Sequence, residues 1–121
     1  MWAGMGDYVL ISPDANHRAS LIYVGEPPHG DSYHKLTVDG NRFPGYAWGC
    51  LFAYSKDSRY LALSWMEKLV ERKTVVIDSE ARKYFVLPEY IHSFNLVWPA
   101  LHSTSQEKKY EFDGSEAWIA Y

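Results

Sequence analysis

The side chains best suited to chemistry are five histidines, one cysteine and scattered acids. His29 and His34 flank Asp31 at a spacing that matches no common metal site. His17, or His34 beside Lys35, could serve acid–base cleavage of RNA. The formal net charge of −3 opposes that reading, because phosphate binding needs a concentrated basic surface. No Gly-x-Ser-x-Gly and no phosphate-cradling glycine loop is present; Gly4-Met5-Gly6 precedes the first strand rather than joining a strand to a helix. Asp78 and Glu80 share a turn, where carboxylates are normally solvated, and no enclosed acid pair suits glycoside cleavage. Cys50, within Gly49-Cys50-Leu51-Phe52, reads as a small buried residue rather than a nucleophile. The expectation is a binding protein without catalytic residues, metal or cofactor.

Binding chemistry concentrates near the C-terminus. Between Glu107 and Trp118, four carboxylates (Glu107, Glu111, Asp113, Glu116) stand against two lysines. Tyr110, Phe112, Trp118 and Tyr121 are interleaved with them. Such a mixture suits a basic protein partner, since charges steer the encounter and desolvated aromatics supply most of the affinity. The candidate contact residues are Glu107, Tyr110, Glu111, Asp113, Glu116 and Trp118. The acidic loops around Asp31 and from Glu67 to Glu71 come next. A solvated edge strand protected by charge would show the same pattern.

The elements that must position these residues read as strands. Apolar or alternating runs cover Tyr8–Ile11, Ala19–Val24, Tyr33–Val38, Tyr46–Ser55, Arg59–Met66, Lys73–Asp78, Arg82–Leu87, His92–Trp98 and Lys108–Asp113. Ser12-Pro13-Asp14, Asp39-Gly40-Asn41, Lys56-Asp57-Ser58 and Ser79-Glu80-Ala81 punctuate them. In Arg59–Met66, Leu61, Leu63 and Trp65 fall on one face, with Tyr60, Ala62 and Ser64 on the other. Leu61, Leu63, Val75, Ile77 and Phe85 are the expected core. Helix signals are poor, with room for one short turn at Met66–Glu71 and another at Pro88–His92. Connections this short imply antiparallel pairing. The fold expected over residues 1–121 is one mainly β domain, an antiparallel meander of hairpins forming a rolled sheet or small sandwich.

Composition sets further bounds. Aromatic residues make up 17% of the 121, more than a small core requires, so several belong at a surface. A lone cysteine fits a reducing compartment. Met1–Asp7 has neither the basic region nor the apolar run of a secretory signal, and no window is long enough to span a membrane. A cytoplasmic location is therefore expected.

A weak repeat runs through the chain. Ser12-Pro13-Asp14 opens a unit that continues through Ala19–Val24 to Leu36–Asp39. Ser55-Lys56-Asp57 opens another that continues through Tyr60–Trp65 to Val75–Asp78. The second resembles a β-propeller blade of the WD40 or TolB type. A closed propeller needs about four such blades, which this length does not allow. The resemblance implies consecutive meanders packed as an open or rolled sheet.

In size, acidity, aromatic content and architecture the chain is similar to bacterial immunity proteins, the partners of contact-dependent or secreted toxins. That resemblance implies one cognate toxin domain, often a basic nuclease, bound and occluded at its active site in the producing cell. It implies no cofactor, no direct nucleic-acid contact and no membrane. Two other classes stay open. One is a small-ligand or carbohydrate-binding β domain using Trp48, Trp65 or Trp98 as a stacking platform. The other is a scaffold domain that joins a larger assembly through a sheet edge.

Overall fold

The computed structural model describes residues 6–25, 32–68 and 71–121. Among them there is no helix. The strands are β1 (Tyr8–Ile11), β2 (Arg18–Gly25), β3 (Tyr33–Val38), β4 (Asn41–Arg42), β5 (Tyr46–Tyr54) and β6 (Tyr60–Met66). They continue as β7 (Lys73–Asp78), β8 (Lys83–Val86), β9 (Phe94–Val97), β10 (Ala100–Ser103), β11 (Lys109–Glu111) and β12 (Ile119–Ala120). A nine-stranded sheet runs β1-β2-β3-β5-β6-β7-β8-β12, with β4 paired to β3. A three-stranded sheet runs β11-β10-β9. Every pairing is antiparallel.

The large sheet rolls without closing into a barrel. Three contacts hold the roll. Tyr54 Oη donates to the Leu10 carbonyl at 3.3 Å. The Asp14 amide donates to Ser58 Oγ at 2.9 Å. Phe43, beyond β4, packs its ring 5.0 Å from Tyr84 and from Tyr121 at the far edge. Inside lies the main core, with Leu21, Leu36, Phe52, Leu61, Leu63, Val75 and Ile77 fully buried.

The three-stranded sheet covers the outer face of the β5–β8 region. Tyr60, Ala62 and Val76 meet Leu87, Ile91, Phe94, Leu96, Leu101 and Phe112 in a second core. This layer accounts for β6, whose seven residues are all buried. Its odd residues Leu61, Leu63 and Trp65 enter the main core, while Tyr60 and Ala62 enter the second. The chain then returns as β12 to pair with β8, so both ends of the outer layer are tied to the large sheet.

The repeat is visible in the two turns that open its units. Ser12 Oγ donates to Asp14 Oδ1 at 2.7 Å, and Ser55 Oγ donates to Asp57 Oδ1 at 2.5 Å. The serine oxygen then accepts the amide of His17 in one turn and of Tyr60 in the other, each at 3.0 Å. Ala15 (φ 62°) and Ser58 (φ 68°) hold matching left-handed positions. The units do not stand apart as propeller blades. Pairing of Tyr33 with Trp48 and of His34 with Ala47 merges them into one sheet.

Several details depart from the sequence reading. The helical turn read at Pro88–His92 does not form. Met66 is held in the ladder opposite Tyr46, and residues 69 and 70 of the segment Met66–Glu71 lie outside the described residues. Between Pro88 and His92 the backbone bonds sideways instead. Thr74 Oγ1 accepts the Ile91 amide and donates to the Ile91 carbonyl. Phe85 is only half-buried, packed against the second core. The run Tyr46–Ser55 is not one even strand. Ala47 pairs with Trp65 and Phe52 with Leu63, so Trp48 through Leu51 bulge opposite Ser64, with Gly49 at φ 78°.

Candidate functional site

Outward residues of β6 and the turns of the outer layer converge on one aromatic cluster. Strand parity turns Tyr60 away from the main core, and Trp98, after β9, lies flat on it with ring centroids 3.5 Å apart and planes at 9°. Phe112 follows at 4.7 Å from Trp98, and Trp118 at 5.7 Å from Phe112. Tyr110 packs edge-on to Phe112 at 4.8 Å. Trp98, Tyr110 and Trp118 remain half-exposed. Trp98, Phe112 and Trp118 border a cleft of about 450 Å³ that also takes in Arg59, Tyr60, Asp78, Lys83 and Glu116, and Tyr110 reaches it only through its bond to Glu116.

Carboxylates shape this cleft. Glu116 accepts the Tyr110 hydroxyl at 2.9 Å and the amides of Asp113 and Gly114, which folds the C-terminal segment over the cluster. Burial first, and then the Glu116 carboxylate, push the Tyr110 phenol up to about 12. Asp78 takes a two-pronged contact from Arg59, at 3.0 and 2.9 Å, and caps the amides of Glu80 and Ala81. Burial alone would raise the Asp78 carboxyl; the Arg59 and amide hydrogen bonds outweigh it and hold it below the usual range. The Arg59 guanidinium also lies 5.3 Å from the Tyr60 ring centroid. The cleft thus already receives one cation of its own between a carboxylate and an aromatic face.

Of the residues singled out in the sequence, Tyr110, Glu116 and Trp118 meet here. Asp113 forms the adjoining turn, bonded by Ser115. Glu111 is exposed on β11 and pairs with Lys109 at 2.9 Å. Glu107 lies on the β10–β11 turn, beside a separate recess with His102 and Lys108. Glu67 and Glu71 gather on Lys73 at the opposite end of β6 from Tyr60. Asp31 lies outside the described residues. Arg59, Tyr60 and Asp78 were not singled out as contact residues. Period-two parity could have flagged Tyr60, but bringing Trp98 onto it required the tertiary fold.

The candidate platforms separate cleanly. Trp65 is 2% exposed and its indole donates to the Pro44 carbonyl at 2.8 Å, so it is core. Trp48 is 5% exposed, with the Arg72 guanidinium 4.3 Å from its ring centroid. Trp98 is the most exposed of the three and lines the aromatic–acid cleft, whereas nearly buried Trp48 lines a different recess. The histidines scatter: His17 pairs with Asp39 at 2.6 Å, buried His34 donates from Nε2 to the Gly6 carbonyl, and His92 contacts the Tyr90 hydroxyl. His29 lies outside the described residues.

A second recess, of about 390 Å³, opens where the β5 bulge faces the segment from Tyr90 to Asn95. Among the described residues, no helix is long and apolar enough to cross a membrane. Comparison with known proteins gives no match among family models, curated proteins or solved structures.

Proposed function

We propose that this domain binds a basic protein partner and acts as an immunity protein, occluding the active site of a cognate toxin domain in the cytoplasm of the producing cell. One observation carries the reading: Trp98 and Trp118 are left half-exposed around a cleft that contains the Asp78 and Glu116 carboxylates beside Arg59 and Lys83. Large aromatics in a pocket are typical interface anchors, and nearby acids select a cationic partner. Arg59, seated on Asp78 beside Tyr60, models how a partner's arginine or lysine would be received. Exposed Asp113 lies on the turn next to the cleft and exposed Glu111 on the outward face of β11, and both would act mainly on the encounter rate.

The test starts with co-purification from the native host and identification of the partner by mass spectrometry. Association rates are then measured at low and at physiological salt. Reversing Glu111 and Asp113 to lysine should slow association and flatten its salt dependence, leaving dissociation nearly unchanged. Unchanged rates and salt dependence would remove the C-terminal segment from the contact.

A scaffold role has its own observation. Val9, Ile11, Ile22 and Val24 are 40–56% exposed on the outer face of β1 and β2, beside the free edge of the large sheet. Self-association that disappears in a Val9→Lys, Ile22→Lys variant would favour it; a monomer at all concentrations would exclude it.

A further inference from the structure

The recess at the β5 bulge has no part in the protein contact proposed above. It is lined by Trp48, Gly49 and Leu51 from the bulge, Ser64 from β6, Tyr90, residues 92–95, and Thr104. The bulge creates it. Four residues stand where the ladder has room for one, and Gly49 makes the reversal at φ 78°. The Gly49 amide turns away to the Ser32 carbonyl at 3.0 Å. Ser64 is left facing the gap in the ladder.

The polar groups around this recess are unspent. The side chains of Ser64, Ser93, Asn95 and Thr104 bond to no other described residue, although Ser64 is only 4% exposed. The Trp48 indole N–H is buried on the same wall without an acceptor. Buried polar groups in folded proteins are normally satisfied; here the Trp48 N–H is not, and the hydroxyl of nearly buried Ser64 beside it has no partner among the described residues, so the recess calls for a ligand or ordered water. Among the described residues no lysine, arginine, aspartate or glutamate lines the recess, and His92 there contacts the Tyr90 hydroxyl. That composition gives no anchor for phosphate or for a charged amino acid. Trp48, Tyr90 and Phe94 supply an apolar wall opposite the hydroxyls and the amide.

We propose that this recess binds a neutral pyranose sugar. A pyranose carries hydroxyl donors and acceptors around its rim and apolar C–H faces. The two walls match that division. The volume of about 390 Å³ falls in the range of small-molecule sites. A planar nucleobase matches less well. It needs an open ring face, and the Trp48 indole has the Arg72 guanidinium 4.3 Å from its centroid and the near-parallel Tyr90 ring at 6.4 Å.

The experiment is a titration of ¹⁵N-labelled protein with the methyl pyranosides of glucose, galactose, mannose and N-acetylglucosamine, and separately with adenosine. Concentrations up to about 10 mM detect affinities near the millimolar range. At least one glycoside should give saturable shifts confined to residues 48–51, 64, 92–95 and 104 and the Trp48 indole signal. Asn95→Ala and Thr104→Val, both at exposed positions, should each weaken that binding about fivefold, the loss expected for one hydrogen bond. Their melting temperatures should match wild type. The proposal falls if no glycoside shifts these signals, if the shifts lie elsewhere, if neither variant changes affinity, or if adenosine binds the recess more tightly. None of these results bears on the aromatic–acid cleft, whose test uses a protein partner.

Discussion

Gly45 joins β4 to β5 where the chain passes over the main core. Its φ is 70°, and a methyl group added there would stand 2.6 Å from Trp65 Nε1 and closer still to the Met66 carbonyl oxygen. Gly45→Ala therefore carries three costs. A side chain in the left-handed region costs about 1–2 kcal/mol. The clash cannot be relieved by a swinging side chain, because one neighbour is backbone and the other a ring 2% exposed; overpacking of this kind costs about 1–3 kcal/mol. Moving Trp65 also loosens its 2.8 Å bond to the Pro44 carbonyl, worth about 0.5–1.5 kcal/mol. The total expected is about 3–6 kcal/mol, a large part of the stability of an ordinary domain. Gly40→Ala is the control. It shares a positive φ, 81°, but an added methyl meets nothing within 4 Å, so only the first cost applies. Urea denaturation of the two variants side by side measures the difference, with equal slopes required for the comparison. If the two lie within about 0.5 kcal/mol of each other, the packing of the β4–β5 turn on Trp65 is wrong.

Other variants probe the rest of the frame. Leu63→Ala should cost about 2–5 kcal/mol in the same titration, since Leu63 is fully buried in the main core; a loss under about 0.5 kcal/mol would contradict its placement. Ser55→Ala should cost about 1–3 kcal/mol, because the Tyr60 amide then has no acceptor in a buried turn. Ser12→Ala, in the more exposed matching turn, should cost less, and the reverse order would argue against the equivalence of the two turns. Asp78 has a folded pKa below its unfolded value, so its contribution is full above the unfolded pKa of about 3.9 and is lost as pH falls through the folded value. The stability gap between wild type and Asp78→Asn, read by urea titration, should be constant from neutral pH to about pH 5 and shrink below about pH 4. A gap independent of pH would mean Arg59 does not hold the carboxylate.

Much of the frame could be read from the chain because its signals are local. The β5–β6 and β7–β8 hairpins are closed by Ser/Asp turns, β6 alternates with period two and β7 is a β-branched run, so the inward set Leu61, Leu63, Val75 and Ile77 follows directly. The two Ser-x-Asp turns recur bond for bond because a serine, an aspartate and one left-handed residue suffice to build them. What escaped has no local signal. β4, β10 and β12 are two to four residues long and display no period. Gly49 sat inside an apparently continuous strand, although a glycine there is the usual mark of a bulge. Ile91 and its neighbours looked like a helical turn, but Thr74 offered their backbone a better partner. The site was half legible. Tyr110, Glu116 and Trp118 are close in sequence and meet, whereas Tyr60, Asp78 and Trp98 arrive through the stacking of one sheet on the other.

The central claim is that the Trp98–Trp118 cleft seats a basic toxin domain and covers its active site. The most direct measurement is the catalytic activity of the co-purified partner, titrated with this protein and with its Trp118→Ala variant, after melting curves confirm that the variant is folded. Wild type should extinguish the activity at one-to-one stoichiometry. The variant should need much more protein, its complex weakened by about 2 kcal/mol or more through faster dissociation. A partner that stays fully active in the complex, or is inhibited equally well by both proteins, would contradict the account.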